Sequence, residues 1–272
     1  MVQKNIFNLN KLKKINLKNL RKIPWVIGQP LTKVPDLSKS RISDLFVWIN
    51  SSEIKTYYEF MDLPSLFEKD NLNKNSFFNL MLFNKYGETL KNIKIPVVYG
   101  ERIVINISDY LENINDEIGT FSIFHQNTPK EIQNLGSFIS DRGYVKYYSK
   151  KLEIFKYVHG NLDAISFDDA NITNLGVNGF LSRKYFIQCK IEKESNYKFY
   201  LVNYTKKNQV FTLRSLNDKN IISNIEIKPR GCGYFEHKCE IQNELLYIKS
   251  KLVMSRPLIY SEKNSDLDFF HG

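Results

Sequence analysis

The sequence predicts an all-β fold: two tandem antiparallel β-sandwich domains, immunoglobulin-like or jelly-roll in style, joined by a hairpin-containing connector and preceded by a basic N-terminal arm. Three observations carry this expectation. Apolar and polar residues alternate in short runs, glycine and asparagine punctuate those runs, and a faint internal repeat divides the chain. The composition agrees. The 272 residues are 42% hydrophobic and 14% aromatic, and the two alanines, Ala164 and Ala170, leave β-branched and aromatic side chains to fill the elements. No apolar run approaches the ~20 residues of a membrane-spanning helix.

The arm, residues 1–39, comes first. Lys4, Lys11, Lys13, Lys14, Lys18, Arg21, Lys22 and Lys33 all precede the first acidic residue, Asp36, and these eight charges leave +2 of the formal +10 for the rest of the chain. The positive field therefore belongs to the arm, which is read as solvated or resting on an acidic surface. Its apolar residues drift around a helical axis and form no continuous secretory core. Arginines number only eight, so specific nucleic-acid binding is not expected.

The first sandwich is placed at residues 40–130. Ile93 and Ile95, then Ile103, Ile105 and Ile107, keep the period-2 spacing of a half-buried strand, with turns at Lys85-Tyr86-Gly87 and Tyr99-Gly100-Glu101. Thr128-Pro129-Lys130-Glu131 is a capping box with Pro at the first helical position, predicting one short helix that Gly136 ends. The connector, residues 131–182, holds two aromatic strands at Tyr144–Tyr148 and Ile154–His159 that turn at Ser149-Lys150-Lys151. The second sandwich, residues 183–272, repeats the order of the first. Leu80–Asn84 matches Phe199–Asn203, the Ile93/Ile95 strand and Pro96 match Ile225/Ile227 and Pro229, and Phe121–Phe124 matches Tyr247-Ile248. A single larger β-structure accounts for the same strands.

Three of the four histidines end apolar strand faces: His125 after Phe121 and Ile123, His159 after Phe155 and Tyr157, His271 after Phe269. Strand ends meeting at one rim would place imidazoles in a shared cleft, where they could exchange protons; each also reads as a histidine capping its own core. Asp141, Arg142 and Tyr144 form a turn whose charged fork suits a carboxylate, a phosphate or a hydroxyl, and Asn161 and Asp163 form a similar turn. With Arg256 these complete the set of candidate ligand-binding residues. No metal spacing and no cofactor fingerprint appears, so neither a metal nor a cofactor is expected. Gly231-Cys232-Gly233 places a thiol in a turn with His237 and Cys239 nearby, which reads as incidental. Tyr57, Tyr58, Tyr147, Tyr148, Tyr157 and Tyr200, where exposed, would stack on sugar rings; otherwise they pack across strands.

No nucleophile elbow, phosphate loop or dinucleotide fingerprint is present. The function expected is therefore non-enzymatic binding or scaffolding, with a glycan or another protein as ligand. Two alternatives stand beside it: an enzyme acting on a small polar or sugar-like substrate at an inter-domain histidine/arginine cleft, and a structural subunit of an assembly such as a virion. Cys189, Cys232 and Cys239 are too few for a disulfide framework, and with no signal peptide this points to a cytoplasmic setting.

Overall fold

The computed structural model describes residues 41–61, 77–96, 101–112, 114, 116–125, 140–141, 143–160, 162–168, 171–216, 221–253, 256–264 and 266–272. The basic arm, the helix expected at 128–136, Arg142 and Asn161 lie outside the described residues.

The strands of the first part are β1 (Arg41–Ser43), β2 (Phe46–Ile49), β3 (Ile54–Met61), β4 (Phe77–Asn84), β5 (Thr89–Pro96), β6 (Arg102–Asn106) and β7 (Ile118–Phe124). Then come β8 (Ser140–Asp141), β9 (Tyr144–Ser149), β10 (Ile154–His159), β11 (Ile165–Asp168), β12 (Asn171–Asn174) and β13 (Asn178–Phe186). The last are β14 (Asn196–Val202), β15 (Gln209–Ser215), β16 (Ile221–Ile227), β17 (Cys232–Lys238), β18 (Leu246–Leu252), β19 (Leu258–Lys263) and β20 (Asp266–His271). The alternating pattern is obeyed where one face meets solvent: in β3, Ile54, Thr56, Tyr58 and Phe60 are buried while their neighbours are not. Among the described residues a single 3-10 turn, Ile107–Tyr110, interrupts the strands, capped by the Asn106 side chain.

These strands make five four-stranded sheets. In hydrogen-bonded order they are sheet I (β12-β11-β1-β8), sheet II (β2-β7-β4-β5), sheet III (β10-β9-β3-β6), sheet IV (β13-β18-β15-β16) and sheet V (β17-β14-β19-β20). The described pairings are antiparallel except β1 with β8. Sheet III meets II through β3 and β2 and V through β10 and β20, sheet II meets I through β7 and β1 and V through β7 and β17, and sheet V meets IV through β17 and β16. Sheet I leads into IV where β12 runs through Leu175–Val177 into β13. The molecule is thus a ring of five small sheets of the five-bladed β-propeller kind, not two tandem sandwiches. Unlike the blades of a simple propeller, no sheet here consists of four consecutive strands.

Two findings overturn the tandem immunoglobulin-like or jelly-roll reading. First, each hydrophobic core draws on both halves of the chain. One combines Trp48, Tyr58, Leu80, Leu82 and Phe121 with Tyr200, Tyr260 and Phe269. The other combines Met81, Phe83 and Phe124 with Phe199, Phe211 and Ile259. Strand β4 is therefore covered on both faces, which is why it reads as the continuous apolar run Leu80–Phe83. Secondly, the supposed connector hairpin is structural sheet: β9 pairs along its length with β3 as well as with β10.

The order of strands nevertheless recurs. Sheet II has the connectivity of sheet IV, and sheet III that of sheet V, with β2–β7 corresponding to β13–β18 and β9–β10 to β19–β20. The Ile93/Ile95 and Ile225/Ile227 strands, β5 and β16, are counterparts under this rule. Leu80–Asn84 and Phe199–Asn203 are not, because the counterpart of β4 is β15. What those two segments do share is the closing asparagine. Asn84 Oδ1 accepts the Tyr86 and Glu88 amides at 3.0 and 2.9 Å, and Asn203 Oδ1 accepts the Thr205 amide at 2.9 Å. Each side chain satisfies turn amides that no ladder reaches.

Candidate functional site

The sequence singled out three histidines for one rim, and the structure brings two of them together. His159 ends β10 and His271 ends β20, and their rings lie 5.6 Å apart, edge to face. His271 Nε2 is 2.8 Å from the His159 carbonyl and its Nδ1 is 3.4 Å from the Pro257 carbonyl, while His159 Nδ1 is 2.7 Å from the Gly160 carbonyl. Burial pushes the His271 imidazole below the usual histidine range, against the pull of the two carbonyls; the charges of Arg256 and His159 add to the downward push. Arg256 is exposed and lines the same cleft.

The same cleft is lined by apolar residues that include Phe46, Val158, Val202 and Leu258. Its free volume is about 50 Å³, room for roughly three to five waters at ~10–15 Å³ each. Two of its phenols, Tyr147 and Tyr200, are held protonated well above neutrality. Burial pushes the Tyr147 and Tyr200 hydroxyls well up, and Tyr147 Oη donates to the Val47 carbonyl at 2.9 Å. Asp44 is also fixed, its two carboxylate oxygens accepting the amides of Leu45 and Leu162 at 2.8 and 3.1 Å.

His125 does not join them. It is buried, with its ring 4.6 Å from that of Phe78, and burial holds its pKa down to about 3. A histidine at ~6.5 in the unfolded chain and about 3 in the folded one has a simple consequence. Below pH 6.5 the unfolded state takes up a proton that the native state refuses, so stability falls between pH 6.5 and 3. Urea denaturation of the wild type is expected to lose about 2–3 kcal/mol more than His125→Phe between pH 7 and 4.5. Equal losses in the two proteins would refute the assignment.

The other predicted residues scatter. Asp141 lies in β8, paired in parallel with Ser43 of β1. Asp163 is partly buried ahead of β11. Tyr144 is exposed on β9, opposite both Glu59 of β3 and His159 of β10. Cys232 does not sit in an open turn: it begins β17, is buried, and burial pushes its thiol far up, so it is no nucleophile.

Tyr144 and His159 lead to a feature that reading one strand at a time missed. The outer face of sheet III is aromatic. Phe155 pairs with Tyr148, Tyr157 with Lys146, and Lys146 in turn with Tyr57, so these side chains lie in adjoining rows. The Tyr57 and Tyr148 rings lie 5.5 and 4.8 Å from Phe155, and Lys146 Nζ sits 5.3 Å from the Tyr157 ring centre. Glu59 binds Lys146 on one oxygen and Arg102 at 3.0 Å on the other. Tyr144, Phe155 and Tyr157 are more than 40% exposed. Of the six tyrosines proposed for sugar stacking, Tyr58, Tyr147 and Tyr200 are core residues, and no feature here supports carbohydrate binding.

Comparison with family models and with curated proteins finds no match for this chain. Among the described residues no helix is long and apolar enough to cross a membrane. The all-β ring is compatible with a binding or scaffolding role.

Proposed function

We propose that the protein is a non-enzymatic binding or scaffolding module whose ligand is another protein. The observation behind this reading is the exposed aromatic face of sheet III. Tyrosine, phenylalanine and arginine are the residues that protein interfaces gather: the aromatic rings bury large area at small cost in side-chain entropy, and arginine adds a planar fork of hydrogen-bond donors. Lys55, Lys146 and Arg102 outnumber Glu59 on the face, so the partner it suits presents carboxylates among apolar side chains. Panning a displayed random-peptide library on the whole protein tests this. Enriched peptides should combine Asp or Glu with bulky apolar residues and weaken as salt is raised. Phe155→Ala and Tyr157→Ala, both surface changes, should each lower their affinity at least ten-fold. No enrichment, or binding indifferent to both substitutions, overturns the reading.

A second reading rests on the His159–His271–Arg256 cleft: an enzyme, or a receptor, for a small polar anion. Arginine would hold the anion and histidine exchange its proton. In a thermal-shift panel of small phosphates and carboxylates, this reading requires a stabilising compound whose effect disappears in Arg256→Gln and His271→Ala.

A further inference from the structure

The connection from β17 of sheet V to β18 of sheet IV carries a side-chain cluster that neither reading uses. His237 lies near the end of β17, and Cys239 follows two residues later on the same side of the extended chain. Asn243, at φ 58, turns the backbone so that Glu244 comes back over both. The loop is clamped from outside. The Cys239 amide donates to the Ser195 carbonyl at 3.0 Å, the Glu194 amide donates to the Cys239 carbonyl at 2.9 Å, and Glu244 bridges to Ile191.

His237 Nε2 is 2.7 Å from Glu244 Oε2, and Cys239 Sγ is 3.7 Å from the same oxygen. All three donor atoms lie within 4.8 Å of one another. Cys239 and Glu244 are buried, and the His237 side chain is only 13% exposed. A carboxylate removed from water needs compensating charge, and one divalent cation would compensate it while engaging the imidazole and the thiolate together. Nitrogen, sulfur and oxygen on one small centre is a donor set that zinc takes, and tetrahedral zinc places its ligands about 3–4 Å apart. The wide span is the one between His237 and Cys239; closing it by about an ångström takes a turn of those two side chains, while the 2.7 Å His237–Glu244 contact opens by about half an ångström.

We propose that His237, Cys239 and Glu244 form a zinc site, with solvent in the fourth position and the thiol proton released to solvent on binding. The site fastens the β17–β18 connection beside the 191–195 segment. Its spacing, His-x-Cys followed by Glu five residues on, matches no common zinc pattern, so sequence alone passes over it.

The test is a titration of the chelator-stripped full chain with Zn²⁺ in competition with a chromophoric chelator, beside Co²⁺ substitution. One equivalent of Zn²⁺ should bind, and the Co²⁺ form should show a near-ultraviolet thiolate-to-metal charge-transfer band. Glu244→Gln should weaken binding at least 100-fold, Cys239→Ser should abolish the band, and Cys189→Ser should change neither. Uptake of less than half an equivalent, a Co²⁺ form without the band, or affinity unchanged in Glu244→Gln would overturn the proposal. If Cys239→Ser does not fold, the wild-type Co²⁺ spectrum and Glu244→Gln decide.

Discussion

Gly87→Ala is expected to remove about 3–5 kcal/mol of stability, read as a shifted urea midpoint, because one residue carries two separate constraints. Gly87 sits at φ 80 in the β4–β5 turn, where a side chain costs ~1–2 kcal/mol on backbone grounds alone. A Cβ there would also lie 1.9 Å from the Pro229 carbonyl oxygen and 2.8 Å from the Gly231 nitrogen, and neither backbone atom can rotate away. The β4–β5 turn would have to leave the 228–231 turn. That parting breaks the Cys232 amide to Lys85 carbonyl bond of 3.1 Å and strains the bond from the Thr120 hydroxyl to the Arg230 carbonyl. Each buried group left unsatisfied adds ~1–3 kcal/mol. Gly87→Asn separates the two causes. Asparagine tolerates a left-handed backbone but keeps a Cβ, so it should be nearly as damaging as alanine if the close contact dominates. A Gly87→Ala protein within 1 kcal/mol of the wild type would show that the two halves do not meet at this turn.

Trp48→Ala is the second large effect, also expected at about 3–5 kcal/mol. Trp48 is fully buried, its Nε1 donates to the Phe83 carbonyl at 3.0 Å, and its register partner on β7 is Gly119. A Cβ at position 119 would lie 2.4 Å from the indole ring, so the absent side chain opposite is what makes room for the tryptophan. Alanine at 48 leaves a cavity that the surrounding sheets fill only in part. Trp48→Phe isolates the hydrogen bond: it keeps most of the packing but leaves the Phe83 carbonyl without its donor, and should cost about 1–3 kcal/mol. Equal losses for alanine and phenylalanine would mean that the bond, not the volume, holds the site.

Both residues stand where distant parts of the chain touch, and this is where the sequence stops being legible. Period-2 alternation identified β5 and β16, and the hairpin of β9 and β10 was placed to within a residue or two. It could not say that β9 also pairs with β3, some ninety residues earlier, because a strand's two edges leave no mark in its own side chains. In the sequence, the run Leu80–Phe83 is only the first event of the faint internal repeat. Only the packing shows that its alternate residues feed two different cores.

The candidate sites divide along the same line. His159 and His271 were recognised as strand-end histidines, and the fold joins them across 112 positions. His125 has the same local pattern and is instead sealed against Phe78. The sequence by itself determined that this chain is built of β-strands, where about half of them run, and that asparagine and glycine mark the turns. Those properties depend on neighbours a few residues away. The tertiary structure alone decided that the sheets number five, that they close on one another, and that His237 and Cys239 gain Glu244 as a companion. Ladder pairing and side-chain convergence are contacts between remote segments, and their free energy exists only once the whole chain has closed.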